Sequence, residues 1–75
     1  MKHYQFTMIV QRDDEGNYVA ICPALQGCYT EGETPEEAMA YLKDAIQLHI
    51  EDRQARQEPI YEELFSQRVD IDIAA

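Results

Sequence analysis

Thr34-Pro35-Glu36-Glu37 constrains this 75-residue chain more than any other stretch. A threonine hydroxyl at the N-cap, a proline at the first helical position and a glutamate three residues after the cap make a capping box. Glu36 and Glu37 also lie at the positive end of the helix dipole. Downstream, Ala38, Leu42, Ala45, Ile46, His49 and Ile50 recur at 3.6-residue spacing, with Met39 at the border. Arg53 and Arg56 fall in the last turns, where positive charge is favoured, and Pro59 presses Glu58 out of helical geometry. The spacing predicts a helix from Pro35 to about Arg56, on the order of 30 Å long. So long a helix in so short a chain leaves room for one core, and the rest must pack against it.

Ahead of the helix the period changes to two. Tyr4, Phe6, Met8 and Val10 fall on one face, and Gln5, Thr7, Ile9 and Gln11 on the other, which predicts a strand over 4–12. Asp13-Asp14-Glu15-Gly16-Asn17 reads as a hairpin turn, and Tyr18 to Cys22 as the return strand. Pro23 stops regular pairing. Leu25 is a lone apolar residue in the following loop and is expected to plug the core. Gly27 allows another bend, and Cys28 to Glu31 reads as a short third strand closed by Gly32. Beyond Pro59, the residues Ile60, Tyr61, Leu64 and Phe65 suggest a second helix of one to two turns. Val69, Ile71 and Ile73 alternate with Arg68, Asp70 and Asp72, the pattern of a strand with one apolar and one charged face. The order β-β-β-α-(α)-β predicts an α+β two-layer sandwich. Three strands form an antiparallel meander and the last pairs parallel with the first through a right-handed crossover, giving sheet order 3-2-1-4.

The stretch from Asp14 to Ala38 carries a resemblance. Gly16, Tyr18, Ala20, Pro23, Leu25, Gly27, Cys28, Gly32, Thr34, Glu37 and Ala38 all fit the pattern of the N-terminal domain of HicB-type antitoxins. In that family an acidic turn ends in glycine, Tyr-x-Ala and a Pro-x-Leu-Pro-Gly-Cys-like loop follow, and Gly-Asp/Glu-Thr-x-x-Glu-Ala opens a helix. Gln26 departs, since proline is usual there, which loosens one loop and touches no chemistry. The resemblance implies a partial ribonuclease H-like fold without nuclease chemistry. It also implies a partner: a small basic HicA-type toxin that cleaves mRNA with a histidine and is masked by the antitoxin. Family members usually add a C-terminal DNA-binding module. This sequence stops just after its last predicted strand, so a single HicB-like domain over 1–75 is expected, with no direct contact to nucleic acid.

Charge agrees with a protein partner. Fifteen acidic residues against six Lys and Arg give a formal net charge of −9, which disfavours phosphate backbones and anionic membrane surfaces. No apolar run is long enough to span a bilayer. Met1-Lys2-His3-Tyr4 lacks the apolar stretch of a signal peptide, and a cytoplasmic protein with reduced thiols is expected. Small size makes self-association an inexpensive source of stability, so a homodimer or a higher even oligomer is expected.

Enzymatic chemistry finds little to work with. A ribonuclease H-type site needs carboxylates converging on two metals, one from the first strand, and Tyr4 to Arg12 holds none. Asp70, Asp72 and Asp44 read as a solvated set. Cys22 and Cys28 lack the further ligands of a zinc site; a cysteine–histidine nucleophile pair is weighed against small buried hydrophobes at strand ends, which is preferred. His49 reads as a packed histidine, with a pH-sensitive contact as the other reading. No cofactor is expected. Binding residues are sought instead among Asp13, Asp14 and Glu15 in the turn, Glu31 and Glu33 before the helix, and Tyr41 and Leu48. The last two are seven residues apart at one edge of the buried stripe, where they either widen the core or meet a partner. An alternative to toxin masking is an orphan homo-oligomer of the same fold acting as an adaptor or small-ligand binder.

Overall fold

The computed structural model describes residues 2–74. Three strands, β1 (Ile9–Arg12), β2 (Tyr18–Ile21) and β3 (Tyr29–Gly32), precede one helix, α1 (Pro35–Ala55). The strands form an antiparallel sheet in the order β1-β2-β3. The architecture is α+β: a three-stranded sheet with the helix across one face.

Local chemistry sets each boundary. Between β1 and β2, the Asp13 carboxylate accepts from the backbone N–H of Glu15 and of Asn17, both at 2.9 Å, and Gly16 takes a positive φ of 87°. Between β2 and β3 the chain closes on itself: Cys22 N–H donates to the Cys28 carbonyl, Leu25 N–H to that of Cys22, and Cys28 N–H to that of Leu25. This satisfies the backbone of a loop whose Cys22, Leu25 and Cys28 side chains are all buried. At the helix start, Thr34 Oγ1 accepts from Glu37 N–H at 3.1 Å. The returning bond runs from Glu33 N–H to the Glu37 carboxylate, one residue earlier than in the usual box. At the far end Glu58 N–H donates to Arg53 C=O and Gln57 N–H to Gln54 C=O, a Schellman closure. Gln57 adopts φ 59° there, a position that favours glycine.

The core is compact and small: Ala20, Cys22, Leu25, Cys28, Ala38 and Leu42 are buried, with Phe6, Val10, Tyr18, Ala24, Ala45 and Ile46 packed around them. Helix and sheet meet closest at one corner. A Cβ on Gly32 would stand 2.6 Å from the Ala38 nitrogen, so only glycine lets α1 approach β3 there. Thr30 Oγ1 donates to Ala38 C=O across the same junction. The helix runs about 31 Å over strands that span about 13 Å each, so its C-terminal half extends beyond the sheet.

Two expectations need correction. The first strand begins at Ile9 rather than Tyr4, because β2 ends at Ile21 and gives residues 4–8 nothing to pair with. Residues 58–74 contain neither the short helix over 60–65 nor the strand over 69–73, so the order 3-2-1-4 is reduced to its first three members. A one-to-two-turn helix does not recover its nucleation cost without packing, and Leu64 and Phe65 are 93% and 81% exposed. Instead the Glu63 carboxylate accepts from Thr7, from the backbone N–H at 2.6 Å and from the hydroxyl. Lys2 Nζ stands 3.6 Å from Glu62. The tail is therefore tied to the segment ahead of β1, held by side chains rather than by a backbone ladder.

Candidate functional site

Strand alternation determines the two faces of the sheet. Ala20 is fully buried under the helix, so its neighbours Val19 and Ile21 point to the opposite face. The register then places Ile9, Ile21 and Tyr29 in one cross-strand row of that outer face, and Gln11, Val19 and Glu31 in the next. Tyr29 and Ile9 are 62% and 42% exposed. The outer face is thus apolar in one row and carries an acid in the next, with no element of the described residues packed over it.

The acidic candidates gather at one end of this face. Arg12, Tyr18 and Gly32 pair across the three strands where the sheet ends, so the Asp13–Asn17 turn leaves the sheet beside Gly32 and Glu33. A shallow concavity there is lined by Asn17, Glu31, Glu33 and Glu37. Asp14, Glu15, Glu31 and Glu33 are exposed. Asp13 differs: its carboxylate is committed to the turn, which makes it a positioning residue for its acidic neighbours. The field at this end is negative, offset in part by the charge of Arg12, which lies over the Tyr18 ring at 5.8 Å and beside the turn at Gly16.

Tyr41 and Leu48 resolve differently from the acids. They are 52% and 65% exposed, so they do not widen the core. They lie on the outer side of α1, away from the sheet's free face, and Leu48 borders a groove with Asp44, Gln47 and Glu51. The structure joins the turn with Glu31 and Glu33 but does not join Tyr41 and Leu48 to them. Sequence reading missed Ile9 and Tyr29. The alternation was visible, yet it could not reveal that both faces of the short sheet carry apolar residues.

The remaining candidates are structural. Cys22 and Cys28 are 1% and 2% exposed and unbonded to each other. Burial pushes both thiols above their ordinary value of 9.0, which opposes thiolate chemistry. His49 is half-buried on the helix. Among the described residues no three His, Cys, Asp or Glu side chains are grouped as a metal would need, and no helix is long and apolar enough to cross a membrane. What the arrangement offers is a surface: apolar rows for contact, carboxylates at one end for orientation.

Comparison with known proteins bears on that surface. A family described as "HicB_like antitoxin of bacterial toxin-antitoxin system" matches residues 6–75. A UPF0150 protein of Synechocystis sp. is 38% identical over 60 residues, covering 80% of this chain and 76% of its own. Another, from Thermoplasma acidophilum, is 41% identical over 56 residues, covering 75% and 81%. A further Synechocystis UPF0150 protein is 47% identical over 49 residues, covering 65% and 68%. No solved structure matches the chain. With the match running from Phe6 through the capped helix to the exposed tail, this chain belongs to the HicB-like antitoxin family.

Proposed function

We propose that this chain is a non-enzymatic binding domain that masks a small basic toxin of the HicA type, blocking mRNA cleavage by protein–protein contact in the cytoplasm. The observation that carries the reading is the pairing of family membership with a free sheet face bordered by Asp14, Glu15, Glu31 and Glu33. A basic, RNA-binding protein presents the complementary field, and carboxylates placed where phosphates would lie compete directly with RNA. Ile9 and Tyr29 supply the apolar contact, and the acids supply orientation and encounter rate. Tyr41 and Leu48, on the helix, form a separate surface in this reading. The domain stands as a single HicB-like unit that does not itself contact nucleic acid, and its fold is the partial ribonuclease H-like one, with order 3-2-1-4 when the tail is paired.

The test is to combine the chain with the small basic protein encoded beside it and follow RNA cleavage. Binding should suppress cleavage, and association should slow as salt rises. Exchanging Asp14, Glu15, Glu31 and Glu33 for their amides should lower the association rate about 10-fold or more while changing dissociation less. An absent neighbour, or cleavage undiminished by excess chain, defeats the reading. The alternative, an orphan homo-oligomer serving as an adaptor or small-ligand binder, is favoured by one feature: the exposed apolar tail.

A further inference from the structure

Lysine is rare in this chain, and both copies stand at one place. Fifteen acidic residues face six cations, of which only Lys2 and Lys43 are lysines. Both line a groove of about 420 Å³ between the segment ahead of β1 and α1 from Lys43 onward. The groove is floored by Tyr4, Phe6, Ile46 and Ile50, each only partly withdrawn from water. It lies on the helix side of the sheet, where Phe6 and Ile46 pack against the core. It is therefore separate from the outer row of Ile9, Ile21 and Tyr29.

Periodicity accounts for both walls. Lys43, Ile46, Gln47, Ile50 and Gln54 recur at helical spacing and make one stripe about 16 Å long. Lys2, Tyr4 and Phe6 alternate by two, and the Tyr4 and Phe6 rings stack with centroids 5.9 Å apart and planes 8° from parallel. The stacked pair presents a continuous apolar wall to Ile46 and Ile50. The chain's own tail stays outside: among the described residues none beyond Gln54 lines the groove, and Glu62 meets it only through Lys2.

The charges of the groove differ in what they are free to do. Lys2 Nζ is shared between Glu62 at 3.6 Å and the Tyr4 ring at 5.2 Å. Glu51, the one acid in the lining, accepts from the Gln47 amide at 3.3 Å. Lys43 has no ion pair among the described residues. The helix positions from which an acid could neutralise it, three and four residues away, hold Met39, Ala40, Ile46 and Gln47. A chain of net charge −9 thus keeps one cation unpaired at the end of an apolar stripe.

We propose that this groove binds a free medium-chain fatty acid. Its carboxylate pairs with Lys43, and its alkyl chain lies along Ile46 and Ile50 against Phe6 and Tyr4. The volume is that of a small-molecule site, in which an apolar lining supplies affinity and a few polar groups fix orientation. A monoanion matches the single unpaired cation, and a linear apolar body matches the stripe that begins beside it. The net charge of −9 disfavours an anionic bilayer as the occupant. The site is independent of toxin masking, which uses the opposite face of the sheet.

The test is a titration of the nitrogen-15-labelled full chain with decanoate below its micelle concentration. Amide shifts should saturate and be confined to residues 2–6 and 43–54. Lys43→Gln, at an exposed position, should weaken decanoate about 5-fold and leave the binding of decanol, which carries no charge, unchanged. Ile50→Glu, outside the buried core, should weaken both by about 10-fold or more, with the amide spectrum of the sheet preserved as the sign of an intact fold. Shifts that do not saturate overturn the proposal, as do decanoate binding untouched by Lys43→Gln and shifts centred on the outer row or the tail. Groove amides that move on dilution without ligand reveal a second copy as the occupant and overturn it equally.

Discussion

Glu63 does for Thr7 what a neighbouring strand's carbonyl would do: it accepts an N–H that β2, ending at Ile21, leaves without a strand partner. The hydroxyl bond first, and then the backbone bond, favour the charged carboxylate and hold it below its ordinary value of 4.5. A depressed carboxyl adds stability that is present above the ordinary value and is lost as pH falls through the lowered one. The Thr7 amide proton should therefore shift in acid below pH 4.5, and Glu63→Gln should abolish that step. Asp13 gives a second test at this scale. Asp13→Asn keeps an oxygen for Glu15 and Asn17 N–H and should leave stability nearly unchanged. Asp13→Ala removes both bonds and should cost about 1 kcal/mol in urea unfolding. Gly32→Ala drives a methyl into the helix backbone and should cost about 1–3 kcal/mol, measured the same way.

At the level of elements, the helix is where sequence and structure agree most closely. Thr34, Pro35 and Glu37 specify its start through bonds within four residues, so no distant partner was needed to read them. Thr34→Ala should cost about 1 kcal/mol, and Gln57→Gly should add about 0.5–1 kcal/mol by relieving the positive φ at the other end; thermal unfolding measures both. Gly16 in the turn and Leu25 as the loop's buried plug were legible for the same local reason. The elements after Pro59 were not. Ile60 to Phe65 and Val69 to Ile73 have the right periods, but period only says which face wants burial, and nothing within the described chain buries these. The docking face was half legible: the acids were visible as charges, whereas Gly32's contact with Ala38 and the outward row of Ile9, Ile21 and Tyr29 depend on register between strands.

Taken whole, the molecule has a small core for the surface it presents. Leu25 and Leu42 are the largest aliphatic side chains fully withdrawn from water. Leu42→Ala should cost about 2–5 kcal/mol, much of what a domain this size possesses, and is expected to leave little cooperative unfolding in calorimetry. If the tail is covered by a second copy, the midpoint of thermal unfolding should rise with protein concentration, as it must for any species stabilised by association. The helix is anchored to the sheet at Thr30, Gly32 and Ala38 and through Leu42, Ala45 and Ile46 in the core, and its later turns reach past the strands. A rod clamped at one end bends most at the other. Amide hydrogen exchange along α1 should accordingly be graded, slowest from Ala38 to Leu42 and progressively faster toward Arg53, and the steepness of that gradient reports how firmly the free end is held.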